Sequence, residues 1–230
     1  MGKSSRFLIL LFVLFVVAVG HLGADPTPPP PPVNSFDSVL MFPYSEPLSV
    51  TSDVTQYLSF FAPAAFALVA PSSEWLEISL LYGTSALLSF GTRTLLKKTI
   101  ERVRPYEYFP ESPEYPPMGE DDHDESFPSG HSIMAFTGAA FTHALFALRY
   151  PDSRYRMPVT IAAWTFASAT AALRVASGNH FITDVLAGAA IGSFFGFAVP
   201  YLAWKFLPSW QNDRISVAVG PTMMAMNIRF

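Results

Sequence analysis

The residues that could do chemistry fall into three polar islands on an otherwise apolar chain. The first is KKTIERVRP, residues 97–105. Lys97 and Arg104 are seven positions apart, about two helical turns, so both lie on one face if a helix continues to Pro105. Phosphate needs such a convergent cationic clamp, and an arginine fork binds two oxygens together. Arg93, Lys98 and Arg102 read more simply as interfacial anchors at a helix end. The second island, PSGH over residues 128–131, stands immediately before a long apolar run. Ser129 can cap that helix, and the free N–H groups of its first turn, starting at Gly130, face whatever occupies the mouth. His131 adds a proton donor at the same end. The third island, RVASGNHFITD over residues 174–184, puts His180 and Asp184 four apart. A helix stacks them on one face, where the carboxylate can hold one ring nitrogen as N–H and leave the other free to attack phosphorus. Arg174 can fold back to neutralise phosphate oxygens. The simpler reading of this island is a His–Asp capping pair with a snorkelling arginine.

The scaffold that must position these islands shows in the composition. Half of the 230 residues are hydrophobic and 14% are charged, against about 25% charged in an ordinary soluble domain. Much of the chain therefore faces lipid or is buried on all sides. The length suits one domain. The net charge of -4 argues against a nucleic-acid partner. With no cysteine, disulfides, thiolate catalysis and cysteine-bound metals are excluded. Residues 1–24, with Lys3 and Arg6 before an apolar run over 7–19, read as a signal peptide or a first transmembrane anchor. Residues 25–53 read as a Pro-rich linker and surface segment, and 54–208 as a helical catalytic domain. Residues 209–230 form a tail whose partial alternation is compatible with a short strand.

Five apolar segments, 57–70 (bent at Pro63), 75–90, 133–148, 157–173 and 181–207, supply the helices. Their Ser, Thr, Ala and Gly content suits tightly packed membrane helices, and with the amino-terminal run they make six potential spans. The basic loop RYPDSRYR, residues 149–156, belongs on the cytoplasmic side. Residues 93–130 and 174–180 then share the outer side. The cations at 93–104 break the positive-inside bias there, and anion binding gives a reason.

Together the islands resemble the type 2 phosphatidic acid phosphatase (PAP2) superfamily, which also includes vanadium haloperoxidases and soluble bacterial acid phosphatases. Its pattern is Lys, six residues, Arg-Pro; then Pro-Ser-Gly-His; then Ser-Arg, five residues, His, three residues, Asp. Lys97, Arg104 and Pro105 fit the first part, residues 128–131 the second, and Arg174, His180 and Asp184 the third. Leu173 stands where the pattern has serine, which removes one possible hydrogen bond and leaves the main roles filled. The resemblance covers most of residues 50–207. It implies an all-α, polytopic membrane helical bundle with five or six transmembrane helices.

The resemblance also implies hydrolysis of a phosphomonoester or diphosphate on a membrane lipid, without metal or cofactor. His180 would be the nucleophile that forms a phosphohistidine, and Asp184 would orient it. His131 would protonate the leaving oxygen and then activate water. Lys97, Arg104, Arg174 and the groups around Ser129 and Gly130 would hold the phosphate oxygens. Candidate substrates are undecaprenyl diphosphate, lipid A phosphate, phosphatidate and phosphatidylglycerophosphate, with membrane lipids as the other partners. The expected location is a bacterial inner (cytoplasmic) membrane, with the site facing the periplasm. The alternatives are a lipid phosphotransferase, a soluble periplasmic acid phosphatase and a noncatalytic membrane scaffold. His143, about 120° around the helix from His131, reads as local packing. His123, in the acidic run EDDHDE over 120–125, reads as solvent-facing. Tyr106, Tyr108, Phe109, Tyr115 and Phe127 are candidates to line a lipid-chain route.

Overall fold

The computed structural model describes residues 31–112, 123–206, 215–220 and 223–228. The signal-like segment 1–24 lies outside them. Five helices build the body: α1 Glu46–Phe60, α2 Trp75–Thr99, α3 Gly130–Arg149, α4 Arg156–Ala176 and α5 Ile182–Phe206. Helix α3 is the hub. It packs against all four of the others, and its side chains from Ser132 to Phe146 are buried around most of its circumference.

The outer helices turn their polar faces inward. Helix α1 buries Ser52, Gln56 and Ser59 and exposes Val50, Val54, Tyr57 and Leu58. The Ser59 hydroxyl donates to the Ala135 carbonyl at 2.7 Å, with the Ala163 carbonyl 3.0 Å away. Helix α2 likewise buries Ser85 and Ser89 and exposes Leu80, Leu87 and Leu95. A helix in water does the reverse, so these outward apolar faces suit lipid. Helices α3, α4 and α5 are each long and apolar enough to cross a membrane. Helix α1, at 15 residues, is roughly 22 Å long, short of a hydrocarbon core of about 30 Å. Helix α2 has the length but is diluted by Ser, Thr and Gly. Three described helices thus meet the criterion by composition, where five or six spans were expected.

Close approach is built from glycine. Gly188, Gly192 and Gly196 form one stripe of α5 against α3. A Cβ on Gly188 would stand 2.6 Å from the Ser129 carbonyl oxygen, and one on Gly196 would stand 2.7 Å from the Ala140 Cβ. Larger side chains would force the two backbones apart. At the far end of α3, Phe141, Leu145 and Phe146 pack with Phe66 and Ala203 into an apolar cluster.

Three boundaries differ from the sequence expectation, the first being the end of α2, which runs to Thr99 where the apolar segment stops at 90. Helix α1 starts at Glu46 instead of near residue 54, because Pro47 sits in the first turn, where its missing N–H leaves no bond unmade. The apolar stretch 57–70 then breaks at Phe61 into a 3₁₀ helix, Ala62–Leu68, with Pro63 in its first turn. In the tail, β1 (Ile215–Gly220) and β2 (Met223–Ile228) pair antiparallel, with Ile215 opposite Ile228. A strand pair thus replaces the single short strand.

Candidate active site

The three islands meet where α3 begins. The Ser129 N–H donates to the Asp184 carbonyl at 3.1 Å, and the Ser129 hydroxyl caps α3 by accepting from the Ser132 N–H at 3.4 Å. The close α3–α5 contact at Gly188 fixes this junction. The first island is not one continuous helix. Helix α2 stops at Thr99, and Ile100 and Arg104 are extended. Residues 102–104 run beside 123–126: Arg102 N–H donates to Asp124 O at 2.6 Å, Arg104 N–H to His123 O at 3.0 Å, and Ser126 N–H to Arg102 O at 2.9 Å. Proline at 105 disfavours a helical Arg104, and branched Ile100 and Val103 favour extension. Lys97 therefore reaches the site from a helix end and Arg104 from an extended segment.

His180 lies two residues before α5, after a turn at Gly178 with φ +71°. A Cβ at Gly178 would stand 2.5 Å from the Phe42 carbonyl oxygen, so both the backbone angle and the space require glycine. His180 is 2% exposed, and its Nδ1–H donates to the Ser126 carbonyl at 2.8 Å. A carbonyl only accepts, so Nδ1 carries the proton and Nε2 keeps its lone pair. Burial, then the charges of Arg104, Arg174 and Lys97, hold the ring's proton affinity well below the ordinary histidine range. The ring is neutral near pH 7, as a nucleophile must be.

Asp184 takes a different position from the one its spacing suggested. Its Oδ2 is 3.7 Å from His180 Nδ1, too long for a hydrogen bond, because His180 precedes the helix. The carboxylate accepts instead from the Ser126 hydroxyl at 2.6 Å, the Phe181 N–H at 2.9 Å and Arg102 at 2.5 Å. It orients His180 through Ser126, whose backbone carbonyl holds the ring. Arg102 is thus no interfacial anchor. It bridges Asp184 and the buried Asp37, also at 2.5 Å. Asp37 in turn accepts the Thr183 N–H at 3.0 Å and the Thr183 hydroxyl at 2.7 Å, across the start of α5. Burial alone would raise the Asp37 pKa, but hydrogen bonds from Thr183, Arg102 and Asn34 outweigh it and hold the carboxyl below its usual range.

The three predicted phosphate cations converge around this histidine and are all buried. Lys97 donates to the Glu125 carbonyl and lies 3.3 Å from that residue's carboxylate. Arg104 donates to Asn179 O at 3.2 Å. Arg174 donates to the hydroxyls of Ser49 and Ser52 at 3.1 and 3.3 Å. His131 is the more open partner, its side chain 31% exposed. Its Nε2–H donates to Asp53 Oδ1 at 2.8 Å, and Arg174 is 3.8 Å from the same oxygen. Arg93, read as an anchor, folds over Gly130: a Cβ there would stand 2.5 Å from Arg93 Nε.

Asp37, Asp53, Ser126 and the inward role of Arg102 were missed from sequence. For Asp53 a signal existed, since Ser49, Ser52, Asp53 and Gln56 make a polar stripe at helical spacing. Asp37 carries no local signal of a role in the site, because Asn34 is its near partner while Arg102 and Thr183, which tie it to the site, are 65 and 146 residues away. His123 is not simply solvent-facing: its Nδ1 pairs with Glu107 at 2.5 Å. His143 packs locally as read, accepting from Trp164 Nε1 at 3.3 Å. Tyr108 and Phe109 line a cavity of about 570 Å³ with Pro43, Pro110, Glu111 and Ser112. Tyr106 is buried against Tyr44 and His123 instead, and Tyr115 lies outside the described residues.

Residues 78–208 match the PAP2 superfamily. Phosphatidylglycerophosphatase B of Bacillus subtilis is 35% identical over 122 residues, covering 51% of this chain and 56% of that protein. A lipid A 1-phosphatase of Rhizobium etli is 38% identical over 116 residues, covering 49% and 44%. The chain thus spans about half the length of the curated relatives it matches. The crystal structure of a transmembrane PAP2-type phosphatidylglycerolphosphate phosphatase from Bacillus subtilis aligns over 88% of this chain and 97% of that one. Its TM-score is 0.51 at 24% identity, a likeness of fold. The family match covers more than half the sequence and contains all three islands, so the chain belongs to the PAP2 superfamily.

Proposed function

We propose that this protein hydrolyses a phosphomonoester or diphosphate on a membrane lipid through a phosphohistidine, without a metal ion. His180 Nε2 attacks phosphorus while Ser126 and Asp184 hold the ring. Lys97, Arg104, Arg174 and the N–H groups from Gly130 onward stabilise the charge that grows on the equatorial oxygens. His131 gives its Nε2 proton to the leaving oxygen, the half-exposed Asp53 swinging aside. It then takes a proton from the water that cleaves the phosphohistidine. The orientation that keeps loop 149–156 inside puts the site on the periplasmic face of a bacterial inner membrane.

The observation that carries the reading is the buried, neutral His180, with Nδ1 tied to a carbonyl and three cations from separate segments around it. The names of the relatives support a lipid phosphate as substrate. The test is phosphate release by the detergent-purified protein in EDTA, with phosphatidate, phosphatidylglycerophosphate, undecaprenyl diphosphate and lipid A as substrates. Release that survives EDTA and disappears in His180→Ala is expected. Loss in EDTA would make the chemistry metal-dependent. Phosphate passing to a second lipid instead of water would make the protein a transferase.

A further inference from the structure

Arg93 is one helical turn before Lys97 on α2, about 6 Å further toward the apolar part of that helix. Its side chain covers Gly130, where a Cβ would stand 2.5, 3.2 and 3.3 Å from its Nε, Cδ and Cζ atoms. That places the Arg93 side chain at the first turn of α3, against the residue that precedes His131. The Arg93 Nε is buried and makes no hydrogen bond, and no carboxylate pairs with the guanidinium among the described residues. Arg102 by contrast has two carboxylates, and Arg149 has Glu74. A partly buried cation without a partner is costly, and an anion beside Gly130 removes that cost.

The phosphoryl group under attack already has Lys97, Arg104, Arg174 and the start of α3. Arg93 reaches the start of α3 from one turn deeper in α2 than Lys97, at Gly130, the residue before the proposed acid His131. The group within its reach is the one that carries the leaving oxygen. In a monoester that group is an uncharged carbon. In a diphosphate it is a second phosphate.

We propose that Arg93 binds a second phosphate adjoining the scissile bond, so that the site selects lipid diphosphates over lipid monophosphates. This deepens the phosphohistidine reading and rests on it. His180 Nε2 bonds to the terminal phosphorus as the bond from that atom to the bridging oxygen breaks. The electron pair stays on the bridging oxygen, which takes the His131 proton, and the lipid monophosphate leaves paired with Arg93. Water then takes the phosphoryl group from His180, with its proton passing to His131. The products are one lipid monophosphate and one inorganic phosphate.

The test compares farnesyl diphosphate with farnesyl monophosphate on the full chain, in the parent, Arg93→Gln and Arg93→Lys. The parent favours the diphosphate in kcat/KM. Arg93→Gln lowers the diphosphate-to-monophosphate ratio by about 10- to 100-fold, the worth of a charge-assisted hydrogen bond, and Arg93→Lys falls between. Equal losses on both substrates would make Arg93 part of the general clamp and overturn the proposal. So would unaltered kinetics on both. A readout without turnover is the thermal stabilisation given by inorganic pyrophosphate relative to inorganic phosphate. Arg93-dependent preference for pyrophosphate with no lipid hydrolysis would sink the enzymatic reading and leave this role standing. Hydrolysis with neither preference would do the opposite.

Discussion

His180 and His131 share a side chain and the same end of α3, yet they are held in opposite ways. His180 is 2% exposed, its Nδ1 fixed by a backbone carbonyl, and Asp184, Ser126, Arg102, Asp37 and Thr183 form a connected network behind that carbonyl. His131 sits on the first turn of a helix, 31% exposed, with one carboxylate that is itself 45% exposed. The difference follows the two proposed jobs. A nucleophile needs one tautomer and one direction of its lone pair, which rigid burial supplies. A group that gives and takes protons must reach both substrate and water, which rigid burial would prevent.

Removing the buried member should have the largest effect. His180→Ala is expected to lower lipid phosphate release by at least about 10⁴-fold, the scale for a deleted nucleophile. Parent enzyme quenched during turnover of a radiolabelled lipid should retain acid-labile phosphate on histidine; a variant within tenfold of the parent would end the assignment. His131→Ala should cost about 10²- to 10³-fold on lipids. On p-nitrophenyl phosphate, whose leaving oxygen departs without a proton, the pre-steady-state burst of p-nitrophenol that reports phosphohistidine formation should slow by less than about tenfold. A burst slowed as much as phosphohistidine formation from lipid would take away the acid role.

Asp37→Asn tests the network behind His180. It strips one of two carboxylates from Arg102 and should cost about 3 kcal/mol of stability. Turnover should fall about tenfold through misplacement, alike on lipid and p-nitrophenyl phosphate, because His131 is untouched. A changed substrate ratio would tie Asp37 to proton delivery instead. The smallest effect concerns pH. Because the folded protein holds the His180 pKa down, its contribution to stability is intact above the unfolded pKa of about 6.5. Below that value the unfolded chain binds a proton that the native ring refuses. Stability then drops by about 1.4 kcal/mol per pH unit until the folded pKa is reached. His180→Gln lacks this loss, so its melting temperature relative to the parent should rise between pH 6.5 and 5. A constant difference over that range would mean that His180 is charged in the fold.

The motifs were readable because each is a local string whose function depends on near neighbours. Ser129 caps the helix that begins one residue later, and the glycine at 130 leaves the room that Arg93 occupies. The apolar segments located α3 to α5 to within three residues at each end, since long runs leave few alternatives. For α2 they located only the start, because its last turns carry Arg93, Lys97 and Lys98. Prolines misled at one boundary: Pro47 reads as a breaker but opens α1, and so Ser49, Ser52 and Asp53 were assigned to a surface segment instead of the site. The expected pairing of His180 with Asp184 assumed that both lie inside the helix. The turn at Gly178 puts His180 outside it, and the carboxylate goes to Ser126 and Arg102.

By itself the sequence determined the residue types, their order and the apolar helices that carry them, because spacing along a chain dictates which groups share a turn. Only the tertiary structure decided the partners. Asp37 reaches Arg102 and Thr183, Asp53 reaches His131, and Arg93 reaches Gly130, contacts between segments far apart in the chain. Those pairings depend on how closely α3 and α5 approach along the Gly188–Gly192–Gly196 stripe and on where α2 stops. Local spacing carries no information about either.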